Sequence, residues 1–111
     1  MTKVKTSELI GPALNWAVVL ALYGEQAHYV WKHNPAGCHY STDWSQGGPI
    51  IDQEIDSISR VDAYPDYTAA RMECDEWGDC SATGPTPLIA AMRCFVASKL
   101  GDEVEIPEEL L

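Results

Sequence analysis

Apolar positions recur with a helical period near both ends of the chain and alternate in its middle. Near the start, Gly11-Pro12-Ala13-Leu14-Asn15-Trp16-Ala17-Val18-Val19-Leu20-Ala21-Leu22-Tyr23-Gly24 opens on Gly-Pro and closes on glycine. Gly84-Pro85 and Gly101 bracket a second apolar run in the same way. Proline suits a first helical turn, where its missing N–H has no helical partner, and glycine accepts the left-handed conformation just past a helix end. The spacing predicts helices over about 12–23 and about 85–100. In the first, Leu14, Val18 and Ala21 line one stripe and Ala13, Trp16, Ala17 and Leu20 another, so it is apolar nearly all round and predicted to be buried. In the second, Leu88, Met92, Phe95 or Val96, and Leu100 share a stripe that Ile89 widens. Arg93 and Lys99 mark its wetter side, and Lys99 suits the negative end of the helix dipole. Upstream, Thr6-Ser7-Glu8-Leu9 reads as a capped turn leading into the first helix.

The middle reads as strands. Ala27-His28-Tyr29-Val30-Trp31-Lys32-His33 is aromatic and β-branched and stops at the turn signal Asn34-Pro35-Ala36-Gly37. Gly47-Gly48-Pro49 reads as a turn into a strand at Ile50-Ile51, whose apolar theme continues through Ile55, Ile58 and Val61. Residues 67–74 alternate, with Ala70, Met72 and Cys74 on one face and Arg71 and Glu73 on the other. Ala63-Tyr64-Pro65-Asp66 is a plausible hairpin turn into that strand, and Asp75-Glu76-Trp77-Gly78-Asp79 a polar turn after it. The expected fold is a single α+β domain over 1–111. It has two layers, a three- to four-stranded antiparallel sheet with two helices packed on one face. The tail from Gly101 either frays or folds back as an extended flap through Val104, Ile106, Leu110 and Leu111.

Charge narrows the function classes. The 111-residue chain carries 17 acidic and 7 basic residues, a formal net charge of −10, and 46% of its residues are apolar. Phosphate backbones would repel it, so general nucleic-acid binding is disfavoured, while basic protein surfaces remain open as partners. Lys3 and Lys5 before the first apolar run faintly imitate a signal peptide. Glu8, Pro12 and Asn15 interrupt it, and it falls short of the about 20 residues a membrane span needs. Cys38, Cys74, Cys80 and Cys94 lack C-x-x-C spacing and read as four reduced thiols in a cytosolic protein.

Sites follow the same weighing. Cys38, His39, His33, Cys74 and Cys80 match no recognised zinc spacing, so no metal or other cofactor is expected. His39, Ser41 and Asp43 are near in sequence, but no strand–turn–helix elbow frames a nucleophile; Asp43 reads as a turn cap and no catalytic residue is assigned. The start of the second helix can hold an anion with its free N–H groups, helped by the Thr83 and Thr86 hydroxyls, although proline removes two donors there. An ordinary capped helix start explains the same residues. Tyr40, Trp44 and Trp77 lie in polar surroundings, where an aromatic ring can stack on a purine or anchor a protein interface, and Arg60, Arg71 or Arg93 can meet a phosphate.

Three stretches also carry a resemblance: "TSEL…ALNWAV", "STDWSQGGPII" and "GPTPLIAAMRCFVASKLGDEVEIPEELL". They resemble a family of small tailed-phage and prophage proteins named after the lambdoid nin-region protein NinX. The resemblance covers both ends and the central stretch, whereas 24–40 and 56–82 look particular to this chain. It implies a phage accessory protein acting in the host cytoplasm and transfers no catalytic residue.

The expected function is non-catalytic binding and sequestration of a small phosphorylated or nucleotide-derived host signalling molecule, as counter-defence. Its walls would be Tyr40, Thr42, Asp43, Trp44, Gln46, Gly47 and Gly48 on one side, and Thr83, Gly84, Thr86 and Arg93 on the other. The alternative is an acidic interaction module that inhibits a host protein, with a small enzyme a distant third. A two-fold homodimer is the default assembly for so small a binding protein.

Overall fold

A computed structural model of the chain describes residues 2–33, 37–55, 57–61, 64–74 and 78–110, with only the backbone described at 60–61, 64–67, 72–74 and 78–80. Residues 34–36 of the expected turn 34–37 and residues 75–77 of the expected turn 75–79 lie outside the described residues, as does Ala63; Gly78 and Asp79 begin a strand rather than end that turn.

The chain is α+β. It begins with strand β1 (Thr2–Lys5) and a short 3-10 turn (Thr6–Glu8), then helix α1 (Gly11–Tyr23), a second 3-10 turn (Gly24–Gln26) and helix α2 (Ala27–His33). Helix α3 (Trp44–Glu54) precedes strands β2 (Ser57–Val61), β3 (Tyr64–Cys74) and β4 (Gly78–Gly84). Helix α4 (Pro87–Leu100), strand β5 (Glu103–Ile106) and a last 3-10 turn (Glu108–Leu110) complete it. The strands form two antiparallel sheets, β2-β3-β4 and β1-β5, rather than the single sheet expected from the alternation.

Helix α4 is the centre of the packing. It lies against β3 and β4 and also meets α1 and α3. Every residue from Leu88 to Val96 is buried, Arg93 included. The wetter side expected at Arg93 is therefore absent: with neighbours on several sides, α4 has little solvated face at mid-length, and Arg93 is kept inside by hydrogen bonds to backbone. Both long helices end as their sequences predict. The N–H of Gly24 reaches the carbonyl of Leu20, that of Gly101 reaches Ala97, and both glycines have positive φ, +56° and +87°.

Two segments expected as strands are helical. In residues 27–33, strand geometry would put His28 and Trp31 on opposite faces, because they are three apart. Helical geometry puts them on one face, where both rings meet Trp16, at centroid distances of 4.8 and 5.6 Å. Local β-propensity is a weak preference, and the tertiary contact with a large buried indole prevails. Residues 44–54, expected as a glycine-rich loop running into a strand, form α3. Gly47 and Ile50, three apart, are its buried residues, and Pro49 sits inside the helix. The Gly-Gly-Pro signal for a turn is overridden by the packing of α3 on α4.

The alternating segment is a strand, as predicted, but it starts earlier than expected. Tyr64, Pro65 and Asp66 belong to β3 rather than to a turn, and Tyr64 pairs with Val61 across a register irregularity between Arg60 and Val61. The tail does fold back. Strand β5 pairs with β1 so that Lys3 faces Glu105 and Lys5 faces Glu103, and Val104 and Ile106 are buried. Thr6 closes this junction: its N–H donates to the carbonyl of Asp102 and its hydroxyl to that of Gly101. The two lysines that imitate a signal peptide are thus positioned as cross-strand partners for the acidic tail.

Candidate functional site

The stretch 37–48 is held by its own polar side chains. Ser41 is buried; its hydroxyl donates to Asn15 Oδ1 of α1 at 2.7 Å and its N–H to the same oxygen at 2.9 Å. Asp43 is the N-cap of α3: its carboxylate accepts from the Ser45 hydroxyl at 2.6 Å and the Ser45 N–H at 2.9 Å. These hydrogen bonds, the hydroxyl first, hold its pKa below the ordinary carboxylate value, with a smaller contribution from nearby His39. The Gln46 amide folds back to accept from the His39 N–H at 2.7 Å and donate to the Gly37 carbonyl at 3.3 Å.

Gly47 is a point of close approach. A methyl group there would collide with the Tyr40 carbonyl oxygen and the Leu88 side chain, whereas one on Gly48 would enter open space. Tyr40 is half-buried, and burial, followed by the neighbouring Tyr23 and Cys38, pushes its phenol up to about 12. Thr42 is exposed, with its N–H bonded to the His39 carbonyl. Of this group, Trp44 stands apart: it is the first residue of α3 and 56% exposed. The polar half of the sequence motif therefore folds the chain, and Trp44 is its solvent-facing ring.

The second predicted wall is divided. Gly84 ends β4 rather than opening a helix, and a side chain there would press on the Ala90 backbone. The helix begins at Pro87, two residues later than the Gly-Pro signal implies, with Thr86 as N-cap accepting from the Ile89 N–H at 3.1 Å. That bond ties the Thr86 hydroxyl oxygen to the helix start as an acceptor and leaves its O–H as a donor. Thr83 and Arg93 instead line an open cleft of about 560 Å³ with Lys5, Thr6, Ser7 and Ser81. Asp102 and Glu103 line it too. None of residues 40–48 does, so the cleft at Thr83 and Arg93 lies apart from the predicted loop wall.

Arg93 anchors this cleft. It is 8% exposed, its Nε donates to the Leu9 carbonyl at 2.8 Å and its Nη1 to the Thr83 carbonyl at 2.9 Å. One side chain of α4 thereby joins the segment before α1 to the end of β4. Of the other two arginines singled out, Arg71 is exposed on β3 and the Arg60 side chain lies outside the described residues. Lys5, Thr6, Ser7 and Ser81 were not recognisable as site residues from the sequence. They are more than seventy positions apart in two groups, and only the meeting of the chain ends with β4 brings them together. Cys38 and Cys94 are buried thiols, and the side chains of Cys74 and Cys80 lie outside the described residues.

These features define a small, strongly acidic α+β domain whose polar cleft is built from both ends of the chain. The chain belongs to the bacteriophage P22 NinX family, whose model matches residues 5–99. A search of curated proteins finds no match for it. No helix among the described residues is long and apolar enough to cross a membrane.

Proposed function

We propose that this phage protein is a non-catalytic accessory protein that binds and sequesters a small phosphorylated or nucleotide-derived host signalling molecule in the host cytoplasm. The observation that carries this reading is the cleft at Arg93. In a chain of net charge −10, it gathers two cationic side chains, Lys5 and Arg93, with the hydroxyls of Ser7, Ser81 and Thr83, while the Thr6 hydroxyl donates to the Gly101 carbonyl. Cations and hydroxyls are the groups that hold phosphate oxygens, and the cleft lies within the about 300–1,000 Å³ usual for small-ligand sites. Asp102 and Glu103 line the same cleft, Glu103 opposite Lys5 in the β1–β5 pairing, and oppose a multiply charged guest.

The test is a titration with a panel of cyclic and linear nucleotides, following melting temperature and tryptophan fluorescence. A guest at a hundredfold excess over its dissociation constant adds about 2.7 kcal/mol to folding stability. Lys5→Gln should weaken its binding about tenfold through loss of one charged hydrogen-bond donor. A panel that moves neither signal ends the proposal for those ligands.

The exposed aromatics favour a second reading, inhibition of a host protein. Trp44 and Tyr29 are 56% and 68% exposed, and such rings anchor protein interfaces. Under that reading Trp44→Ala leaves the melt unchanged and removes a stoichiometric host partner from a pull-down. If the partner is retained, Trp44 is not its anchor.

A further inference from the structure

A separate cavity, of about 420 Å³, lies where the C-terminal turn crosses α1 and α2. Trp16, His28 and Trp31 supply its aromatic lining, and Glu108, Glu109 and Leu110 line it from the tail. The rings are inclined rather than stacked. Trp31 meets Trp16 edge-on with planes 87° apart, and His28 is tilted to Trp16 by 57°. Trp16 is 2% exposed, and its buried indole N–H has no hydrogen-bond partner among the described residues.

Each of these features selects against other guests. Two carboxylates repel an anion and attract a cation. Steeply inclined aromatic rings offer electron-rich faces to a cation, and Leu110 offers apolar contact to its alkyl groups. The net charge of −10 raises the local concentration of cations.

We propose that this pocket binds an alkylammonium group, with its charge between the Trp31 and His28 rings and the Glu108 and Glu109 carboxylates. The group arrives either on a free polyamine or amino alcohol, or on a lysine side chain. The site is independent of the cleft at Arg93 and does not rest on the function proposed for that cleft.

The experiment records tryptophan indole N–H resonances of the full chain while choline is added, with neutral 3,3-dimethylbutan-1-ol as its isostere. Choline should shift the Trp16 and Trp31 signals saturably in the millimolar range and leave Trp44 in place, and the neutral isostere should bind at least fivefold more weakly. The paired variant E108Q/E109Q, on exposed positions of the last turn, should weaken choline about fivefold without lowering the melting temperature. Equal shifts from both compounds, or no effect of the two Gln substitutions, would overturn the proposal. So would no shift with choline at all. A parallel titration separates the two sources. Tighter binding of spermidine assigns a free polyamine, and tighter binding of Nα-acetyl-lysine methylamide assigns a lysine side chain.

Discussion

Helices α3 and α4 begin alike and end up in different roles. Each opens on a side-chain cap, Asp43 bonded to the Ser45 N–H and Thr86 bonded to the Ile89 N–H, and each contains a proline. Helix α4 is buried along its first ten residues after the proline save the last, because sheet and helices both pack on it. Helix α3 buries only Gly47 and Ile50 and leaves Trp44 in solvent. Burial of that extent makes α4 the part of the molecule whose loss the fold cannot absorb. The thin contact of α3 makes it a surface element that can carry an exposed aromatic ring.

Truncation of the core measures the contrast first. Phe95→Ala, in the buried stretch of α4, should cost about 3–5 kcal/mol in urea unfolding, as for other fully buried aromatic residues. A loss no larger than that of Ile50→Ala in α3 would mean that α4 is not the centre of the packing. Next, Gly47→Ala should destabilise by about 1–3 kcal/mol, because the added methyl group has only the Tyr40 carbonyl and Leu88 to displace. An unchanged melting temperature would remove the contact between α3 and α4 from the account.

The neighbouring glycine gives a smaller effect. Gly48 is helical and has open space beyond its chain neighbours, so Gly48→Ala gains up to about 1 kcal/mol of helix propensity, opposed by the crowding of a Cβ against the ring of Pro49, and the melting temperature should move less than for Gly47→Ala. A larger loss than at Gly47 would restore the glycine-rich turn that the sequence implies. The smallest effect concerns pH. The Asp43 pKa is depressed in the folded state by the Ser45 hydroxyl and N–H, so its stabilising contribution is present above the ordinary carboxylate pKa. It is lost as pH falls below about 4 and on through the lower folded value. Asp43→Asn keeps a capping oxygen but cannot titrate, so melting temperature measured against pH should fall less steeply on the acid side than in the unmodified protein.

What was legible in the sequence follows the same divide. The two long helices carry their own start and stop signals and a period that packing reinforces, so 12–23 and 85–100 were readable to within two residues. The alternation of 67–74 was readable for a similar reason, since β3 packs on α4 and its Thr68 and Ala70 are buried while Arg71 is exposed. The short helices were misread because their local signals point elsewhere. Residues 27–33 are rich in β-formers, and Gly-Gly-Pro reads as a turn; only long-range contacts with Trp16 and with α4 decide them. Thr83 and Arg93 were singled out and do share a cleft. Their partners Lys5, Thr6, Ser7 and Ser81 were hidden because no one-dimensional spacing foretells that β1 and β4 approach each other. Asp43 and Gln46 of the expected loop wall bond Ser45, His39 and Gly37 within the fold, contacts that residue type alone does not distinguish from ligand contacts.

The pairing of β1 with β5 has a mechanical consequence. Both cavities draw residues from the zipped ends: Lys5 and Glu103 line one, and the turn after β5 supplies Glu108 to Leu110 of the other. Peeling β5 away opens both at once. A guest in either hollow therefore binds only the closed chain and, by mass action, works as a clasp on the two ends. Slower amide hydrogen exchange in β1 and β5 then becomes a gauge of occupancy in either hollow.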